Sequence, residues 1–336
     1  MPHHVTINPS GHRVALGDGE TILAGTLREG FILPYGCRTG ACGTCKGKLV
    51  EGTVDYGRVA PAALTPQERE SGLCLFCCAV PSTDVVIEAR GVGAARGIVI
   101  KTLPCRVQTI ERVAPDVLIV RLKLPANERL GFLAGQYLEF LLKDGTRRSF
   151  SMANPPHDAE TLELHLRNYG GSFSRHAFGV MKERDILRFE APLGTFFLRE
   201  DSAKPIVLVA SGTGFAPIKA IVEHALHKGV DRPMTLYWGG RRPADLYRDT
   251  LCRGWADTHS GFRYVPVVSD ALPEDAWAGR TGLVHAAVMA DLPDLSAHQV
   301  YACGNPLMVD AARGGFTAQC GLPPDEFFAD AFTPAA

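Results

Sequence analysis

Between Pro34 and Lys46 the chain reads Pro-Tyr-Gly-Cys-Arg-Thr-Gly-Ala-Cys-Gly-Thr-Cys-Lys, which places Cys37, Cys42 and Cys45 in C-x4-C-x2-C spacing among residues with little side chain. A run this polar and glycine-rich is poor material for a core, so it must be a loop wrapped around something. The spacing is that of a [2Fe-2S] centre of the plant ferredoxin type, whose two irons need four thiolates in all. Further thiols stand at Cys74, Cys77 and Cys78. Bridging sulfides carry negative charge, and Gly40, Ala41, Gly43 and Thr44 leave backbone N–H groups free to approach them.

Three other readings compete. Structural zinc more often takes paired C-x2-C knuckles or histidines, and only Cys42 to Cys45 has that spacing here. Disulfides suit short secreted domains, whereas this chain has 336 residues and opens Met-Pro-His-His, without a signal-peptide layout. Unliganded packing cysteines are the third. For the last ligand, Cys77 follows the apolar pair Leu75-Phe76 and precedes Ala79-Val80, a segment able to deliver one sulfur. Cys74 and Cys78 then read as small packing hydrophobes.

A chain of this length implies two or three domains. The net charge of -1 leaves no basic surplus for neutralising phosphates, which argues against a nucleic-acid partner. No apolar run reaches membrane-spanning length, and the ten cysteines fit a reducing cytoplasm. From Met1 to Val92 eight Lys/Arg face nine Asp/Glu, so docking does not rest on a strongly acidic face.

The amino-terminal stretch predicts a hairpin, Val5–Ile7 with Val14–Leu16, and a short helix from Thr21 to Glu29 stopped by Gly30. Strands at Gly47–Val54 and Val85–Ile87 follow. Together they make a small sheet with one helix and a metal loop, domain 1–92. Gly91 to Gly97 reads as a linker. Residues 98–200 are mainly β: Cys105–Ile110, Val117–Leu124, Tyr137–Leu142, Arg148–Met152, Thr161–Leu166 and Ile186–Glu190, with a helix near Phe173–Met181. Asp144-Gly145 marks a hairpin turn. Six such strands predict a closed antiparallel barrel. Arg148-Ser149-Phe150-Ser151 offers a guanidinium, a ring and a hydroxyl for a pyrophosphate and a flat heterocycle. Gly170-Gly171-Ser172-Phe173-Ser174 suits a phosphate at a helix start. A solvated strand arginine and a helix-cap serine are the plainer alternatives.

From Lys204 to Ala336, domain 204–336, strand and helix alternate. Ile206–Ala210 is the continuous apolar run of a central parallel strand, and Ser211-Gly212-Thr213-Gly214-Phe215-Ala216-Pro217 leads into a helix that ends near Gly229. Further strands fall at Met234–Trp238, Tyr264–Val268 and Gln299–Cys303. The pattern predicts a doubly wound α/β domain with its ligand beyond the carboxyl ends of the strands. Gly212-Thr213-Gly214 is the expected pyrophosphate cradle; Pro217 replaces the last glycine of a G-x-G-x-x-G fingerprint.

Taken in order, Cys37-Arg-Thr-Gly-Ala-Cys42-Gly-Thr-Cys45, Leu75-Phe-Cys77-Cys78, Arg148-Ser-Phe-Ser151-Met-Ala-Asn-Pro155-Pro156, Gly170-Gly171-Ser-Phe-Ser174, Gly212-Thr-Gly214-Phe-Ala-Pro217 and Cys303-Gly304-Asn305-Pro306 resemble the three-domain iron–sulfur flavoprotein reductases of the ferredoxin-NAD(P) reductase superfamily. The resemblance covers all three domains. It implies a β-grasp [2Fe-2S] ferredoxin domain ligated by Cys37, Cys42, Cys45 and Cys77. It implies FAD on the barrel, with Arg148 at the pyrophosphate, Phe150 against the ring where tyrosine is usual, and Ser151 near the reactive nitrogen. Gly171 and Ser174 would hold the FAD phosphates. Gly212, Thr213, Gly214 and Pro217 would shape the nicotinamide-nucleotide site, with Cys303 and Gly304 beside the nicotinamide. Phe332 would cover the flavin, with core packing as its rival.

Nicotinamide gives two electrons together and a [2Fe-2S] cluster takes one, so a flavin must stand between them. The expected order is NAD(P)H, FAD, cluster, then an external electron-accepting protein. The acceptor implied is an oxygenase or hydroxylase component. A dehydratase of deoxysugar synthesis is the alternative, and a redox-sensing module a further one. Trp238-Gly239-Gly240-Arg241-Arg242 with Asp245-Leu246-Tyr247 resembles NADH-using members, while Arg241 or Arg242 could pair with the 2′-phosphate of NADPH.

Overall fold

The computed structural model describes residues 3–89, 93–94, 98–158 and 160–332 and divides into two compact units, Met1–Val99 and Ile100–Ala336. The first is built on a five-stranded mixed sheet in the order His12–Leu16, His3–Asn8, Val85–Glu88, Lys46–Glu51, Leu73–Leu75. The predicted hairpin pairs Val5 with Val14. The pairing of His3–Asn8 with Val85–Glu88 is parallel, joining the two ends of the unit through its centre. Alternation puts Val5, Ile7, Val85 and Ile87 on the buried face. Helix Ile22–Arg28 starts where Thr21 Oγ1 accepts from Ala24 N at 3.2 Å, and Gly30 follows it in the left-handed region at φ 81°. Of the segment read as a linker, Gly93 and Ala94 instead pair with Phe31–Ile32 as a short antiparallel ladder. Residues 91–92 and 95–97 lie outside the described residues.

In the second unit, Arg147–Ser151, Tyr137–Leu141, Ile186–Leu193, Lys101–Ala114, Val117–Lys123 and Thr161–Arg167 form a six-stranded antiparallel sheet in that order. A bridge between Met152 and Leu164 joins its two edges and closes the barrel. All six predicted strands are present. Helix Ser172–Gly179 packs Phe173 and Ala177 onto the barrel core.

The rest of this unit is an all-parallel sheet ordered Arg280–Thr281, Phe262–Val268, Met234–Gly240, Ile206–Ser211, Gln299–Gly304, Phe327–Ala331. Ile206 to Ala210 is buried on both faces, as its unbroken apolar run requires, and each such side chain contributes roughly 1.5–3 kcal/mol. The strand order reverses between Ile206–Ser211 and Gln299–Gly304, the switch point where a doubly wound sheet opens a crevice. The terminal strand Phe327–Ala331 escaped sequence reading; it pairs Cys303 with Asp330 at that same end of the sheet. Among the described residues no helix is long and apolar enough to cross a membrane.

Candidate functional site

In the first unit Leu33 to Cys45 forms neither helix nor strand, and Arg38, Gly40 and Gly43 take positive φ. Those turns aim backbone donors at sulfur. The N–H groups of Thr39, Ala41 and Cys42 each lie 3.4 Å from Cys37 Sγ, and Cys37 N is 3.3 Å from Cys42 Sγ. The Cys42 thiol first, then the hydroxyl and N–H of Thr39, draw the Cys37 thiol down to about 4 against the opposing effect of burial. That donor set fits a centre carrying negative charge on sulfur.

Cys77 lies within hydrogen-bonding reach of Cys45, which raises its thiol to about 12, and its Sγ is 3.6 Å from that of Cys78. Cys37 thus neighbours Cys42, while Cys77 neighbours both Cys45 and Cys78. Cys74 is fully buried in the core opposite Gly47, its thiol raised to about 12 by burial. Gly40 has no room for a side chain, since a Cβ there would sit 2.7 Å from Arg58 O and 2.8 Å from Cys78 Sγ. Among the described residues no three His, Cys, Asp or Glu side chains converge on a single-ion site; four thiolates shared by two irons need not do so.

In the second unit, strand alternation puts Arg148 and Phe150 on one side of Arg147–Ser151, and Ser149 and Ser151 on the other. The Phe150 ring is half-buried, 5.2 Å from that of Phe173 and 5.8 Å from that of Phe140. Arg148 turns back to donate to Arg147 O at 2.7 Å. Gly171 is the N-cap of Ser172–Gly179 and supplies no side-chain cap, which leaves the first amides to a ligand and fits a phosphate. Ser174 Oγ donates to Arg167 O at 3.5 Å.

At the switch point Gly212–Gly214 makes a tight turn into helix Phe215–Lys228, whose first turn contains the buried Pro217. A Cβ on Gly214 would stand 2.2 Å from Cys303 O, and one on Gly304 2.4 Å from Ser211 Oγ. The two loops therefore cross with no room for a side chain on either glycine, a cradle that fits a dinucleotide. Cys303 is fully buried, and burial, then the Asp330 carboxylate, push its thiol well above the ordinary range. Phe332 N donates to Gly304 O at 2.8 Å, and its ring packs, partly buried, against the core.

Ser151, Cys303, Gly304 and Phe332, from three distant stretches, are thus gathered around one end of the sheet. Sequence reasoning missed Asp330, whose Oδ2 lies 3.5 Å from Ser151 Oγ. It also missed Arg167, whose guanidinium donates to Asp116 at 2.6 Å and Asp245 at 2.7 Å. A Cβ on Gly212 would lie 2.7 Å from Arg167 Nη1, so this side chain reaches from the barrel to the nucleotide turn.

A buried charged group completes this junction. Glu163 accepts from Arg121 at 3.0 Å, lies 3.2 Å from Lys219 Nζ and 3.1 Å from His165 Nε2, while His165 Nδ1 meets Tyr247 OH at 2.9 Å. Burial would raise the Glu163 carboxyl, but His165, Lys219 and Arg121 together hold it far below the usual range. Burial lowers the His165 imidazole below its ordinary value, with the Glu163 carboxylate opposing it.

A glycine-lined thiol loop on one unit, and a barrel joined to a switch-point sheet in the other, define an oxidoreductase that couples a metal cluster to flavin and nicotinamide chemistry. Family profiles agree: residues 5–82 match a 2Fe-2S iron-sulfur cluster binding domain, 104–198 an oxidoreductase FAD-binding domain and 208–314 an oxidoreductase NAD-binding domain. The chain is 40% identical over 336 residues to the CDP-6-deoxy-L-threo-D-glycero-4-hexulose-3-dehydrase reductase of Yersinia pseudotuberculosis, covering 100% of both. It is 35% identical to reductase component 1 of the terephthalate 1,2-dioxygenase of a Comamonas species, over 99% of this chain and 98% of that one. The crystal structure of the Amycolatopsis cytochrome P450 reductase GcoB superposes with a TM-score of 0.83 at 35% identity, over 99% of this chain and 100% of that one. The chain belongs to the three-domain iron–sulfur flavoprotein reductases of the ferredoxin-NAD(P) reductase superfamily, and it is an electron-transfer reductase using a [2Fe-2S] cluster, FAD and a nicotinamide nucleotide.

Proposed function

We propose that this reductase takes electrons from NADH and delivers them singly, through FAD and then the cluster, to an oxygenase component in the cytoplasm, using domains 1–92, 98–200 and 204–336. When bound, reduced nicotinamide supplies an electron pair as hydride, flavin accepts a pair and releases single electrons, and the cluster carries one. The chain's residues bind, orient and tune. Cys37, Cys42, Cys45 and Cys77 would hold the cluster, and the amides of Thr39, Ala41 and Cys42 would stabilise charge on its sulfurs. Arg148, Gly171 and Ser174 bind the FAD phosphates and Phe150 flanks its ring. Gly212, Thr213, Gly214 and Pro217 shape the nucleotide turn. Ser151, oriented by Asp330, and Cys303 with Gly304 close on the nicotinamide, and Phe332 screens the flavin from water.

The observation that carries this reading is the meeting of Ser151 on the barrel with Asp330 and Cys303 at the switch point. The test is Cys42→Ser: NADH reduction of a flavin-accepting dye persists and cytochrome c reduction is lost, whereas equal loss of both activities would sink the order. The full-length 40% identity to a dehydrase reductase favours a second acceptor, a deoxysugar dehydratase. Reconstitution with a Rieske-type oxygenase component and with such a dehydratase decides between them by which one turns over.

A further inference from the structure

In a doubly wound sheet the ribose of the adenosine lies at the carboxyl end of the strand beside the pyrophosphate turn, where an arginine can accept a 2′-phosphate. Here that strand is Met234–Gly240, and it runs directly into Arg241 and Arg242. Asp245 fixes the turn: its Oδ2 accepts from Arg241 N at 2.8 Å and Arg242 N at 3.0 Å, while its Oδ1 accepts from Arg167.

The Arg242 guanidinium is already engaged. Its Nε donates to Asp275 Oδ2 at 2.7 Å and its Nη2 to Asp275 Oδ1 at 2.9 Å, with Glu274 Oε1 3.9 Å away. Two parallel bonds from one fork to one carboxylate are the arrangement an arginine otherwise offers a phosphate, so one fork cannot serve both. The neighbouring Glu274 and Asp275 also repel a dianion. Arg241, by contrast, keeps its side chain exposed to solvent.

We infer that Asp275 is a specificity-determining residue: by occupying the Arg242 fork it turns away the 2′-phosphate of NADPH and leaves NADH the preferred nucleotide. This rests on the nucleotide lying at the Gly212–Gly214 turn.

Asp275→Asn releases the fork, and the ratio of kcat/KM for NADPH to that for NADH should rise about tenfold, the worth of one charge-assisted pair. Calorimetric titration of the holoprotein should find adenosine 2′,5′-bisphosphate binding tighter relative to 5′-AMP by a similar factor. Adding Arg242→Gln should cancel both gains. An unmoved ratio in Asp275→Asn, a gain that survives Arg242→Gln, or a wild-type protein using both nucleotides equally well overturns the inference. Asp245→Ala, checked for full flavin content, tests the underlying placement. A raised KM for NADH beside an unmoved ratio in Asp275→Asn defeats the inference alone; an unchanged KM defeats both.

Discussion

The thiol loop and the barrel–sheet junction solve the same problem, holding charge away from water, by opposite means. Around Cys37 three main-chain amides donate alongside the Cys42 thiol and the Thr39 hydroxyl, and Gly40 leaves the backbone room to come close. Around Glu163 the work falls to side chains, Arg121, His165 and Lys219, drawn from three elements. Backbone donors do not titrate and survive every substitution but proline, whereas a side-chain network is adjustable and vulnerable. A site whose electrostatics must stay constant gains from the first, and a junction between packed domains from the second.

The contrast breaks most visibly at the ligands. Cys42→Ser should empty the loop of iron and labile sulfide while flavin content stays unchanged, as read by metal analysis and visible spectra. Next is the network: Glu163→Ala removes the carboxylate shared by Arg121, His165 and Lys219, while Lys219 keeps Glu223 at 2.8 Å, and should cost about 1–3 kcal/mol of stability in the second unit, measured by denaturant unfolding. Gly214→Ala should cost about 1–3 kcal/mol by overpacking against Cys303 and raise KM for NADH without emptying the cluster loop.

The pH response sharpens the comparison further. The His165 value lies below the ordinary 6.5 of a histidine, so as pH falls below 6.5 the unfolded chain binds a proton that the native junction refuses, and stability drops. The Glu163 carboxyl, held low, contributes stability that is complete above the ordinary 4.5 and lost as pH falls below it. Calorimetric melting from pH 7.5 to 5 should therefore slope downward for the second unit, and His165→Gln should flatten that slope. Smallest is Thr44→Val. Its hydroxyl lies 3.3 Å from Cys42 Sγ, and losing one such bond should lower the cluster's reduction potential by roughly 20–60 mV in an EPR-monitored titration.

The same contrast explains what could be read from the chain. Cys37, Cys42 and Cys45 lie within nine positions, and glycine and turn chemistry are local, so the loop, the hairpin at Asp144-Gly145 and all six barrel strands were legible. Arg167 and Asp245 are 78 positions apart, and Ser151 and Asp330 are 179 apart. Nothing in the local pattern of Arg167 distinguishes a buried strut from an ordinary strand-end charge. The terminal strand Phe327–Ala331 was hidden because Asp330, the residue that meets Ser151, breaks its apolar run.

Arg167 has one more consequence. Its carbonyl accepts from Ser174 at the flavin-phosphate helix, while its guanidinium lies against the nucleotide turn at Gly212 and grips Asp245. On the proposed assignment a single residue would share its backbone with one ligand's berth and its side chain with the other's. Whatever factor flavin loading contributed to nucleotide affinity, the nucleotide would then return to the flavin in equal measure.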